Sequence, residues 1–259
     1  MNKKYIITLA VISLGAVASF AGATHSWGGY HWARTANPFT VKLGDNLSAA
    51  WDPYLGTTSY DWTLSGVLDT TIVPGTVSPK TCKATSGQVQ ICNSKYGRNG
   101  WLGIASIWIS GDHITQGTVK MNDTYFSTAQ YNTPAWKNLV LCQEVGHAFG
   151  LDHQDENFNN APLGTCIDYT SDPTPNQHPN AHDYEMLESI YAHLDTTTTV
   201  SQSSASSAQD IDHSNPKSWD KVLRASADKK SSVHELDLGK DQKVFTFVIW
   251  ADSDHASHE

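Results

Sequence analysis

Apolar and polar positions alternate over Phe39, Val41 and Leu43, so the segment "HWARTANPFTVKL" is expected to enter the fold and become its first strand. "NLSAAWDPYL" carries a short helical pattern that Pro53 is expected to stop. From Thr57 to Lys95 no period is sustained, and Pro74 and Pro79 point to turns and short strands. The run "GWLGIASIWIS" is β-branched and aromatic and predicts a buried strand; "GTVKMNDTYF" predicts a second one ending at Asn122-Asp123. The period then lengthens. Leu139, Cys142, Gly146 and Phe149 fall on one helical face, with Thr133 as cap, Pro134 at the first helical position and Gly150 as the stop. Another helix is expected from about His182 to Leu194, turning Tyr184, Leu187, Ile190, Tyr191 and Leu194 inward.

Two stretches break this pattern. "TTTTVSQSSASSAQD" has no periodicity and nothing large to bury, so residues 195–216 are expected as a flexible linker. Beyond it, "SWDKVLRA", "SVHELDL" and "KVFTFVIW" predict three strands in a tail over 217–259, the last two joined by the turn Gly239-Lys240-Asp241-Gln242. So small a piece rarely folds alone, and it is expected to lean on the main domain or on a partner. At the other end Lys3 and Lys4, the apolar run Tyr5 to Phe20 and the small residues Ala21-Gly22-Ala23 have the form of an export signal, cut after Ala23. The run is shorter than the roughly 20 residues that span a bilayer.

The 259 residues allow one sizeable domain, 24–194, besides these appendages. A formal charge of −9 with no basic patch argues against nucleic acid or an anionic membrane as partner. Export leads to a compartment that tolerates disulfides. The four cysteines allow three connectivities, of which position along the chain favours Cys82 with Cys92 and Cys142 with Cys166.

The chemistry concentrates in "CQEVGHAFGLDH". Gln143 and His147, four apart on a helix, point the same way, and a three-residue turn after Gly150 can swing His153 back to the same point. Glu144 lies beside that point, where a base acting on a metal-activated water would sit. The spacing Gln143-Glu144-x-x-His147-x-x-Gly150-x-x-His153 resembles the extended zinc signature of metzincin metalloproteases, with glutamine in place of its first histidine. "GTCIDYTSDP" resembles the turn under the zinc in that clan, with Ile167 in place of methionine, and "HPNAHDYEMLESIYAHL" is similar to its C-terminal helix.

The resemblance covers Trp32 to Leu194 and implies an α+β fold: a twisted mixed sheet, an active-site helix and a C-terminal helix, followed here by the small β-rich tail. It implies Zn2+ as cofactor, His147 and His153 as ligands with Gln143 at the third position, Glu144 as general base, and Tyr169 as a hydrogen-bond donor to the tetrahedral intermediate. It also favours the Cys142–Cys166 pair. Ile167 for methionine is a mild change of packing; Gln143 is the serious departure, because a neutral amide oxygen is a poor zinc ligand. Asp152, His113, His178 and His182 are the other candidates for a third ligand.

The expectation is thus a secreted zinc endopeptidase acting on a protein or peptide substrate, with no membrane attachment after signal cleavage. The competing reading is a catalytically inactive binding module that lost a ligand at Gln143. A third gives the work to the tail, as an adhesion element.

Overall fold

The computed structural model describes residues 24–202, 211–212 and 219–251; the expected export signal, 1–23, lies outside them, as do 203–210, 213–218 and 252–259. The fold is α+β, built on one mixed sheet. Its first half comprises β1 (His31–Trp32), β2 (Phe39–Asn46), β3 (Leu68–Pro74), β4 (Gln88–Ser94), β5 (Trp101–Ser110) and β6 (His113–Asn122). β2 runs parallel to both β3 and β4, and β4 runs parallel to β6. β1 pairs with the start of β6, whereas β5 turns back antiparallel along it. In β2 the alternating side chains separate as expected: Phe39, Val41 and Leu43 are buried while Thr40 and Lys42 are exposed.

Among the described residues four helices accompany the sheet: α1 (Asp52–Thr63), α2 (Asp123–Phe126), α3 (Pro134–His147) and α4 (Ala181–Ile190). Pro53 does not stop a helix. It lies in the first turn of α1, where the N–H it lacks would have had no partner, so proline starts the helix that the pattern ended there. Thr133 caps α3 by accepting from the Trp136 N–H. The last nine residues of α3, Leu139 to His147, are all buried, because α1, β5, β6 and β9 (below) surround it. α4 starts from a capping box of Asn180 and Asp183 and stops at Ile190, leaving Leu194 exposed. Just past its end the Tyr191 hydroxyl donates to Phe149 O (2.9 Å) and accepts from Trp32 N–H (3.3 Å), clamping β1 to the loop after α3.

The Thr-rich segment begins as a strap, not as a free linker. Asp195 N–H donates to Arg34 O at 2.9 Å, Thr199 N–H to Ala33 O at 2.9 Å and Ser201 N–H to Gly87 O at 2.8 Å. Its small polar side chains give no hydrophobic signal, and hydrogen bonds hold it, from the main chain and from the Thr198 and Thr199 hydroxyls, which donate to Ala33 O and Ile114 O.

The three tail strands, β7 (Lys221–Ala225), β8 (Ser231–Gly239) and β9 (Gln242–Trp250), lean on the body in the most direct way available to a strand. β9 pairs antiparallel with β5 from Ser110 opposite Gln242 to Gly103 opposite Ile249, giving a nine-stranded sheet in the order β3-β2-β4-β6-β5-β9-β8-β7, with β1 beside β6. Both faces of this junction are buried. On one, Ala105, Ile107, Phe245 and Phe247 join the main core; on the other, Trp101, Ile104, Trp108, Val244 and Val248 meet Trp219 in a smaller one.

Cys82 bonds Cys92, and Cys142 bonds Cys166, which ties α3 to the segment carrying Ile167. Among the described residues no helix is long and apolar enough to cross a membrane.

A candidate metal centre beneath the C-terminal hairpin

Helix α3 ends at His147, and the backbone turns at Gly150, whose φ is +93°. A Cβ there would also come within 2.2 Å of Tyr30 O, so both conformation and space require glycine. Past the turn, Leu151 O accepts a hydrogen bond from His147 Nδ1 at 2.9 Å, and the chain returns His153 so that the two Nε2 atoms lie 2.9 Å apart. The spacing in the sequence therefore converges in space.

The proton positions sharpen this picture. A carbonyl can only accept, so His147 carries its proton on Nδ1 and presents a bare lone pair at Nε2. His153 Nδ1 faces Asp152 Oδ1 at 3.4 Å, which favours its proton on that side too and turns a second lone pair toward the first. Burial, and then the neighbouring His153, hold His147 well below the usual histidine range; burial lowers His153 as well, against the pull of Asp152. Two neutral imidazoles with facing lone pairs are the arrangement a divalent cation requires.

Gln143 and Glu144 are fully buried, and among the described residues no well-formed hydrogen bond closes on the amide of the first or the carboxyl of the second, although the Ala105 N–H lies toward the latter. Burial pushes Glu144 well above the ordinary carboxylate range, opposed only by the Ala105 backbone N–H on β5. A dication held by the two imidazoles would favour ionisation of this carboxyl, on which no cationic group acts among the described residues, and in that respect the residues fit a metal. Gly103 on β5 leaves the room Glu144 occupies: a Cβ there would lie 3.0 Å from Glu144 Oε1 and 2.5 Å from Val140 Cγ1.

Ile167 is fully buried under α3, where a Cβ on Gly146 would meet its Cδ1 at 2.6 Å and Trp62 at 2.8 Å. Tyr169 packs on the other side of the pair, its ring centroid 3.9 Å from that of His153 and 4.7 Å from that of Phe158. Burial raises the Tyr169 hydroxyl far above its usual range, against a hydrogen bond with Ser231 of the tail.

The tail supplies groups that sequence reasoning missed. Phe247 stacks on His147, centroids 4.3 Å apart and planes within 10°. Arg224 reaches Asp152 through two hydrogen bonds of 2.8 and 2.5 Å and Glu156 at 2.7 Å. Although burial works against it, hydrogen bonds from His153 and Arg224 hold Asp152 well below the usual range. Nothing in "KVFTFVIW" distinguishes Phe247 from an ordinary core residue; the alternation foretold a half-buried strand and no more.

Of the remaining candidates Asp152 lies behind His153, and the three histidines lie elsewhere. Asp152 is engaged by Arg224, His178 pairs with Asp61 at 2.7 Å, His182 stacks on His25, and His113 meets Asp195 at 3.2 Å. A cleft of about 370 Å3 between residues 155–159 and 225–228 skirts the centre without including its imidazoles. No protein-family model matches the chain, and no curated protein is significantly similar to it, so the chemistry of this centre is argued from the geometry of these residues alone.

Proposed function

We propose that the chain is an extracellular zinc-dependent peptidase of metzincin type held closed by its own C-terminal hairpin. The observation that carries this reading is the 2.9 Å approach of the two Nε2 atoms, with the His147 proton directed away to Leu151 O, at the end of a helix that also carries the buried Glu144 carboxyl. His147 and His153 would hold the ion, with the Gln143 amide oxygen as the third protein donor. Zinc, when bound, supplies Lewis acidity toward a carbonyl and lowers the pKa of water.

The chain's own groups do the rest. Glu144 takes a proton on a carboxylate oxygen, and its apolar surroundings favour the protonated form, so it can pass that proton to a departing amine. β5 offers its main-chain N–H and C=O groups to an extended peptide, as sheet edges do. That edge is the one β9 occupies, with Phe247 on the imidazole and Ser231 on the Tyr169 hydroxyl. A substrate strand and β9 therefore compete for one edge.

The expected outcome is measured with the full chain, zinc and a casein-type substrate. F247A combined with R224A should raise peptidase activity at least about tenfold by loosening the hairpin, and E144Q in the same background should lower it by about 10²–10⁴. No gain on loosening the hairpin, together with equal activity of the Glu144→Gln protein, would remove the hydrolytic role. The Phe247 stack and the poor donor at Gln143 also favour a second reading, a permanently closed relic that binds without catalysis. It predicts no zinc retained in either background.

A further inference from the structure

We infer a second metal site, built from His31, His113, His193 and Asp195, that takes zinc or a similar imidazole-seeking divalent cation. The four residues come from β1, the start of β6 and the segment just after α4, and they meet only in the folded chain. His31 Nε2 lies 3.1 Å from His193 Nε2 and 3.5 Å from Asp195 Oδ1; that oxygen lies 3.2 Å from His113 Nε2 and 3.7 Å from His193 Nε2. Ligands about 2.1 Å from a tetrahedral zinc sit roughly 3.4 Å from one another. His31, His113 and Asp195 keep their ligand atoms within 4.8 Å of one another, whereas His193 lies farther than that from His113, so its exposed ring would swing inward to complete the set.

Protons again argue for a cation. His31 Nδ1 faces Gly29 O at 2.9 Å and must donate to it, which leaves Nε2 bare in the neutral ring. This lone pair is directed at a carboxylate oxygen and at another imidazole nitrogen, contacts that repel unless a proton or a metal lies between them. Asp195 is oriented for the same purpose: Arg34 binds its Oδ2 through the guanidinium at 2.9 Å and the backbone N–H at 3.2 Å, so Oδ1 is the atom turned toward the rings. His31 is buried and Asp195 half-buried, while the His193 side chain is 56 % exposed, which gives an ion a way in. An ion pair of Asp195 with Arg34 alone would need none of the three imidazoles.

Four protein donors leave no open position for substrate, so the site is structural. It would pin the start of the strap at Asp195 to β1 and β6, the same strap that leads toward the hairpin over the first centre.

The test uses the mature full chain carrying H147A and H153A, which removes the other pair of imidazoles. This protein is expected to retain one equivalent of zinc after gel filtration, and its Tm should rise by roughly 5–10 °C at zinc a hundredfold above Kd. Adding H113A and H193A should abolish both. As a control on folding, the exposed His193→Ala change alone in the otherwise unaltered chain should lower zinc content by one equivalent and leave the far-UV spectrum unchanged. Zinc content and Tm that ignore H113A and H193A, or a H147A and H153A protein that folds yet binds no zinc, would overturn the site.

Discussion

The centre under the hairpin depends on residues that have no freedom to change size. Gly146 is helical, and alanine is the better helix former by about 1 kcal/mol, yet a methyl there would press on Ile167 and the Trp62 ring. Overpacking costs about 1–3 kcal/mol and wins, so G146A should lower stability in urea denaturation by roughly 1–2 kcal/mol. The side chains around it were unevenly legible. The meeting of His147 and His153 could be expected from spacing, because a helix end and a glycine stop fix where the chain after His147 must return. That of His31 and His193 could not, because β-sheet topology brings them together and leaves no local period. Isolated histidines carry no sign of what they will face.

At the scale of elements, the tail strands were visible from alternation and turn chemistry. Lys240 and Asp241 have φ of 53° and 58°, both left-handed, so the β8–β9 connection is a turn of the type that prefers Asn-Gly. K240N with D241G should stabilise the hairpin by about 1 kcal/mol and, if the hairpin closes the centre, reduce peptidase activity of the full chain about fivefold. What alternation could not disclose was the partner. A strand with two apolar faces fits the interior of any sheet, and only the long-range pairing of β9 with β5 decides which one. Pro53 shows the same limit in a helix: proline marks a boundary, but whether it opens or closes the helix depends on the residues that follow.

The whole molecule is a single sheet whose last strands complete the first, and its pH response should reflect that. His234 on β8 is buried beside Trp219, and burial lowers its pKa to about 4. The unfolded chain takes up the proton near 6.5, so the stability lent by the neutral ring is complete above about pH 6.5 and is lost as pH falls toward 4. The loss reaches roughly 3 kcal/mol, and H234Q should remove that share of the stability difference between about pH 7 and about pH 4.5 in urea denaturation, leaving the share of His147 and His153. The mixture of periods located strands and helices, while the α+β class with its mixed sheet was expected from the resemblance around residues 143–153. The closed form was not, since it requires knowing that strands expected to lean on the body lie inside its sheet.

That arrangement imposes a timetable on biosynthesis. Ser106 and Thr246, hydrogen-bonded across the β5–β9 junction, are 140 residues apart in the chain. At typical ribosomal speeds of about 5–20 residues per second, the nascent polypeptide waits on the order of ten seconds with Trp101, Ile104 and Trp108 uncovered on an unpaired margin. Such a margin invites association with other chains, so the newborn protein should need a chaperone's protection until its final segment arrives.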